Sequence, residues 1–355
     1  MKRRDVFKTG LGASALVGLA ASASAQTAVS PAPQTLSPMT LRLSGPDGPS
    51  TERLAQRISA ASAGRLSFDV TAVAPAEAAA QLDTVSAGEV DMALIDLHRL
   101  IDRNTAFGLF DGMPFGLSAS EIDAWIFAAD GRAILDDLGA AHGVKIFLAA
   151  DRGAMPLWSR VPLTDMDGLL SLSIGSRGLG KRALQAIGAA QVTDLDAEEG
   201  WGNLDVLDGV GIAEMQAKGL TDAFPHVTRV NPNTPSSLTA LVVAEAVFGQ
   251  MDDAAQLLLQ RGCTAAFTMS QASALQTNAT ARRELGDALT VYDLPDAIWM
   301  GLQSGAQQVL AEIFEGGPDN AAICDGFVFF LTDVARWSYI GEASFYAGRT
   351  RLNAL

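Results

Sequence analysis

Cysteine, histidine and aromatic side chains are all scarce in this 355-residue chain, and each shortage removes a class of function. Cys263 and Cys324 are the whole cysteine inventory and lack metal-ligand spacing. In an oxidising compartment they could pair, since both fall in C-terminal helical segments, or they could stay as two half-buried thiols; both readings stand. His98, His142 and His226 have no carboxylate or cysteine spaced to form a metal site or a triad, and they read as surface or capping residues. With aromatics at 6% and apolar residues at 48%, Ala and Leu dominate, which suits helix-rich packing. No Gly-x-Ser-x-Gly, Walker loop or dinucleotide fingerprint stands in its proper context, and Gly178-Leu179-Gly180-Lys181 is too short to cradle a phosphate. An enzyme is not expected, and no metal or cofactor is implied. Lys and Arg number 25 against 40 Asp and Glu, and the net charge of -15 argues against a nucleic-acid partner.

What is present begins with an export signal. Lys2-Arg3-Arg4-Asp5-Val6-Phe7-Lys8 is a basic leader, Leu11 to Ala21 is an apolar run, and Ala23-Ser24-Ala25 fits a small-residue cleavage site before Gln26. The pair Arg3-Arg4 followed by Val6-Phe7 resembles a twin-arginine signal, which implies export of a folded protein to the periplasm. Without residues 1–25 the chain keeps 21 basic and 39 acidic residues, a net charge of -18. The remaining length is ample for two lobes with separate cores.

Thr40 to Ser44 alternates as a strand, Ser50-Thr51-Glu52 opens a helix with Leu54, Ile58 and Ala61 on one stripe, and Gly64 closes it. Leu66 to Val73 alternates again, a helix follows from about Ala76 to Ala87, and Val90 to Ile95 reads as a buried strand. This succession predicts a parallel α/β sheet. Ser118 and Glu121 form a capping box before the helix carrying Ile122, Trp125 and Ile126. Lys145 to Ala149 is a strand, and Asp151 to Trp158, broken by Pro156, reads as a crossover between lobes. The stretch Gly168–Gly180 predicts a strand at Leu170, Leu172 and Ile174, a glycine turn and a helix from Lys181, the kind of unit that seats ligands at strand ends. Asp252-Asp253 and Asp293-Leu294-Pro295 open later helices, and Asp325 to Gly348 is the last.

Gly64-Arg65-Leu66, Val85 to Met92 and Met113-Pro114-Phe115-Gly116 occur in an order that resembles the solute-binding subunit of TRAP (tripartite ATP-independent periplasmic) transporters. The similarity is greatest to the branch that binds 2-oxo acids and related monocarboxylates. It continues through Trp158, Leu170 to Ile174, Leu207-Asp208-Gly209 and the helix from Trp337 to Arg349. The resemblance implies a two-lobed α/β periplasmic binding-protein fold with crossing strands and long C-terminal helices. It places lobe 1 at residues 26–150, lobe 2 at 151–240, and a shared strand and C-terminal helices at 241–355. It implies a receptor that closes over a small carboxylate and delivers it to membrane permease subunits. Some members exchange the C-terminal helix between two subunits, so monomer and homodimer are both open.

The family's carboxylate-binding arginine on the central strand falls here on Ser173, or on Leu172 with one residue inserted. A nearby glutamine position matches Ala154, and Val210-Gly211-Ile212 replaces the acidic residue and Trp that help hold a cation. Asp196 to Phe224 is also several residues shorter than the family pattern. Since a carboxylate buried without a partner costs several kcal/mol, either the ligand differs or another cation has moved in. Arg152 and Arg177 are the candidates; the alternative leaves both as solvated surface arginines. Trp158 and Trp201 are candidates to stack on a ligand, with core packing as the other reading. The competing functional reading is a degenerate relative that serves as a structural or sensory interaction protein without small-carboxylate binding.

Overall fold

The computed structural model describes residues 36–46, 49–196 and 200–350, so the export signal lies outside the described residues. Two sheets carry the chain. The first contains β1 (Met39–Pro46), β2 (Leu66–Val73), β3 (Met92–Asp96), β4 (Val144–Asp151) and β10 (Leu238–Ala244), in the order β2-β1-β3-β10-β4. The second contains β5 (Leu157–Ser159), β6 (Ser173–Ser176), β7 (Gln191–Asp194), β8 (Val206–Asp208), β9 (His226–Thr228) and β11 (Thr290–Tyr292), in the order β11-β9-β5-β8-β6-β7.

Neither sheet is purely parallel. β1, β2 and β3 run parallel as the sequence predicts, but β10 enters between β3 and β4 antiparallel to both. In the second sheet β5 likewise opposes β8 and β9. Both reversed strands are made by the chain crossing between sheets. β4 passes through Arg152–Pro156 into β5, and β9 returns through residues 229–237 into β10.

The first sheet is covered on both faces, which is why its inner strands are apolar without alternation. All seven residues of β10 are buried. Leu238, Ala240 and Val242 join a cluster with Phe107, Trp125 and Phe327, while Leu241 and Val243 meet Leu54, Ile58 and Leu259 on the other side. Helix α1 (Pro49–Ala61) lies on the second of these faces, and α2 (Gln81–Ser86), α3 (Ala119–Ala128) and α4 (Gly131–Ala140) accompany the same lobe. The predicted capping box forms, with the Ser118 N–H donating to the Glu121 carboxylate at 2.8 Å.

The second sheet carries α5 (Met166–Ser171), α6 (Gly178–Ala186) and α7 (Ile212–Ala217). Here the predicted strand at Leu170–Ile174 is corrected: Leu170 lies in α5, and β6 begins only at Ser173. The cause is local. Asp165 caps the helix by accepting the Gly168 N–H at 2.7 Å, which winds the chain into a turn where the apolar alternation suggested extension.

After α8 (Glu245–Gln250) come the long helices α9 (Asp253–Leu285), α10 (Asp296–Glu315) and α11 (Pro318–Ser338). A π-helical turn at Tyr339–Ala343 leads on to α12 (Ser344–Thr350). Asp252 caps α9 as read, accepting the Ala255 N–H at 2.8 Å. The last long helix starts at Pro318, earlier than the predicted Asp325, because proline suits a first helical turn. Helix α9 has 33 residues and so is roughly 50 Å long. Its Leu259 and Cys263 pack on the first sheet, whereas Leu285 packs on a second-sheet core. Thr264, Thr268 and Thr277 turn their hydroxyls back to carbonyls one turn earlier, at 3.1, 3.1 and 2.8 Å. Cys263 and Cys324 are buried and free, with burial pushing the thiols up to about 12 and about 11. No described helix is long and apolar enough to cross a membrane.

Candidate functional site

The carboxyl ends of parallel strands are where an α/β sheet leaves room for a ligand, and the first sheet leaves a cavity of about 450 Å³ there. Pro46 at the end of β1, Asp96 at the end of β3, and Ala149 and Ala150 near the end of β4 form its floor. One wall is α1, through Ser50, Leu54, Arg53 and Arg57; the facing wall is the middle of α9. Arg152, the first residue of the crossover, enters at the base.

Three arginines and one aspartate are the charged lining residues. Arg53 and Arg57 are one helical turn apart, so both guanidinia leave the same face of α1. Arg152 donates from Nη2 to Asp96 Oδ2 at 3.0 Å, and Thr239 Oγ1 donates to the other Asp96 oxygen at 2.6 Å. Burial alone would raise the Asp96 carboxyl, but Arg152 reverses this and holds it below its ordinary value. In turn Asp96 fixes the charge on Arg152. Only one corner of the Arg152 fork is spent on a side chain among the described residues, and its side chain keeps 37% of its surface exposed.

Arg177 is placed otherwise. It is 3% exposed, outside the cavity lining, where β6 hands over to α6. Its Nε donates to Asp196 Oδ1 at 2.6 Å and its Nη1 to the Gly209 carbonyl at 2.7 Å. The second Asp196 oxygen meets His98 Nε2 at 2.6 Å and Arg99 at 3.3 Å. His98 Nδ1 lies 3.0 Å from Asp111, whose other oxygen accepts the Leu238 N–H. His98 and Asp111 belong to the first lobe and Asp196 to the second, so this chain of charges ties the two together.

Burial would lower the His98 imidazole, yet Asp111 and Asp196 outweigh it and hold the ring at about 9, so both nitrogens carry protons near neutrality. Asp196 is pulled far below the usual carboxylate range: burial opposes the charge, but His98 and Arg177 prevail. This corrects the surface or capping reading of His98, which is 7% exposed. Gly178 fits the contact for a steric reason. Its φ is +51°, and a Cβ there would lie 2.8 Å from that of His98.

The remaining sequence candidates lie in the second sheet, Ser173 and Trp158, or in the turn before β8, Trp201. Ser173 donates to Asp205 at 2.6 Å. Trp158 has no exposed surface, and its indole N–H is taken by the Val210 carbonyl at 2.8 Å. Trp201 is 7% exposed, with its N–H on the Leu195 carbonyl at 2.9 Å and Lys218 over its ring at 4.2 Å. Both indoles belong to one core cluster with Phe224 and Val227. Of Arg152, Trp158, Ser173, Arg177 and Trp201, the cavity receives Arg152 alone. It adds Arg53 and Arg57, for which the sequence held one signal: an arginine pair one turn apart on the first helix after the first strand.

The sequence model of the DctP family, bacterial extracellular solute-binding protein family 7, matches residues 40–316. This chain belongs to the DctP family. It is a solute-binding protein and not an enzyme, in agreement with the resemblance to TRAP solute-binding subunits. The "Monocarboxylate 2-oxoacid-binding periplasmic protein" of Nostoc sp. is 27% identical over 235 residues, 64% of this chain and 60% of that relative's length. A TRAP periplasmic solute-binding protein from Pseudoalteromonas atlantica, solved with sodium and pyruvate, shares the two-lobed fold. Its TM-score is 0.80 and its identity 17%, covering 87% of this chain and 99% of that one. One from Bordetella bronchiseptica, a mixed-occupancy dimer with calcium and picolinate, has a TM-score of 0.81 and 21% identity, over 90% of this chain and 100% of that one.

Those two fold neighbours carry cations. Asp208 already accepts from Ser176, Asn231, Asn233 and Thr234 at 2.6 to 2.9 Å. The residues after Gly209 are apolar, and no group of three or more His, Cys, Asp or Glu among the described residues could hold a metal ion. Asp208 and its four donors form a closed polar knot that does not fit a cation.

Proposed function

We propose that this protein captures a small organic carboxylate in the periplasm and presents it to TRAP-type membrane permease subunits, with Arg152 as the principal carboxylate clamp. The observation that carries the reading is the charge of the cavity. In a chain with a net charge of -15, its lining holds three guanidinia against one carboxylate. Two guanidinium edges can receive a carboxylate in a forked pair, while Leu54, Leu94, Ala149, Ala266 and Met269 offer an apolar bed for a short carbon chain. The volume is in the range of small-molecule sites. The monocarboxylate named for the Nostoc relative and the pyruvate of the Pseudoalteromonas neighbour support a 2-oxo monocarboxylate as the first solute to try. Export rests on the twin-arginine-type leader at Arg3-Arg4.

Titration calorimetry with pyruvate, longer 2-oxo acids and their uncharged amides tests the proposal. Saturable binding of an acid, loss of binding with its amide, and weakening in Arg152→Lys are expected. Equal binding of acid and amide would overturn the carboxylate assignment. No binding across the acids would favour the structural or sensory alternative.

A further inference from the structure

We infer that Asp196 is a carboxylate ligand built into the chain: it fills an anion site made by cations of both lobes, and so fastens the lobes to each other without needing a solute. Among the described residues three cations converge on it. His98 Nε2 lies 2.6 Å from Asp196 Oδ2, Arg99 reaches the same oxygen at 3.3 Å, and Arg177 Nε donates to Oδ1 at 2.6 Å. His98 and Arg99 follow the end of β3 in the first sheet, and Arg177 follows the end of β6 in the second. Both strands pair in parallel with a neighbour. The carboxyl ends of such strands are where α/β sheets seat their ligands, and here a side chain of the protein takes the seat.

The donors are aimed by groups other than Asp196. Asp111 accepts the His98 backbone N–H at 2.6 Å and lies 3.0 Å from Nδ1, which fixes the ring with Nε2 toward the second lobe. The Gly209 carbonyl accepts from Arg177 Nη1 at 2.7 Å and sets the Nε edge toward the same point. His98 is 7% exposed and Arg177 3%, so water competes little for either. The ligand chemistry is that of a carboxylate, because planar guanidinium and imidazolium donors match its two oxygens. Asp196 stands two residues beyond the end of β7 and offers its carboxylate on one methylene. Trimming it to Gly leaves the room of an acetate ion, and to Ala that of a formate ion. A tethered group meets its site at an effective concentration of roughly millimolar or more, so dilute free carboxylates do not displace it. Among the described residues none from the second sheet lines the Arg152 cavity, so the inference stands apart from the clamp proposed there.

Urea unfolding of Asp196→Ala and Asp196→Gly in the presence of small anions tests this. Sodium formate at about 0.1 M should raise the folding equilibrium constant of Asp196→Ala by about tenfold, with saturation, as a ligand of about 10 mM dissociation constant does. Acetate should do the same for Asp196→Gly and little for Asp196→Ala, whose space is smaller. Sodium chloride and formamide at equal concentration should rescue neither variant, and wild type should respond to formate no more than to chloride. The rescue should persist in D196A/R152K, which separates it from solute binding at the cavity. Small-angle scattering of wild type needs no variant: without solute it should match the two-lobed structure with His98 against Asp196. Chloride acting as well as formate, a response without saturation, no response in either variant, or a solute-free wild type whose lobes stand apart would each overturn the inference.

Discussion

The cavity under α1 and the ion network between the lobes are both built on arginine–aspartate pairs and do opposite things. In the network the charged groups are held on more than one side: Arg177 by Asp196 and the Gly209 carbonyl, and His98 by Asp196 and Asp111. In the cavity Arg152 gives one corner to Asp96, and Arg53 and Arg57 stand exposed on α1. A buried guanidinium held from two sides fastens two parts of a protein together. One with donors left over, facing a space of about 450 Å³, is available to a solute. The difference is read from partners, and residue type alone gives no hint of it.

Removing a carboxylate from the saturated side is the strongest way to break the contrast. Asp196→Ala leaves His98 and Arg177 buried without their shared counter-charge, which should cost about 3–5 kcal/mol in urea unfolding. Carboxylate affinity per folded molecule should change little. A cost below about 1 kcal/mol would make the network no stronger than a surface pair.

Next in size is the titration of His98. Its folded value of about 9 lies above the ordinary 6.5. The imidazole therefore contributes its full stabilisation below pH 6.5 and loses it as pH rises through 9, in all about 3 kcal/mol. Asp196 is depressed, so its contribution is present above the ordinary carboxylate value and is lost only on acidification. Urea midpoints should fall between neutrality and pH 10 in wild type and stay flatter in His98→Gln. Matching slopes would place the titrating group elsewhere.

Arg152→Lys keeps a cation beside Asp96 but removes the planar fork. Carboxylate affinity should fall by about 2 kcal/mol, roughly thirtyfold, with the melting temperature nearly unchanged. Smallest are Arg53→Gln and Arg57→Gln. Each should weaken binding by less than about 1 kcal/mol, and the loss should shrink as salt rises. An effect larger than that of Arg152→Lys would move the clamp onto α1.

Local chemistry was legible in the sequence and long-range chemistry was not. Asp252 and the Ser118–Glu121 pair announce helix starts because both partners lie within one turn. The strand expected at Leu170–Ile174 was displaced by a competing local signal, the Asp165 cap. Arg152 was visible because it sits beside the proline-broken crossover. His98 was not, since its partner Asp196 comes far later in the chain and reaches it only after two sheets have formed. Arg177 was seen as a cation free to move into the pocket. Nothing near it in sequence revealed that Asp196 and the Gly209 carbonyl would claim its donors.

Helix α9 has one further consequence. It is a single rod fastened to both sheets, and it borders the cavity through Met269, Ser270, Ser273, Ala274 and Thr277. Hydroxyls that turn back on the preceding carbonyls loosen and bend a helix, and here they cluster along that same middle stretch. Any rotation of one sheet against the other must therefore flex the wall of the cavity, so the spacing of the sheets and the shape of the cavity depend on the stiffness of one spring.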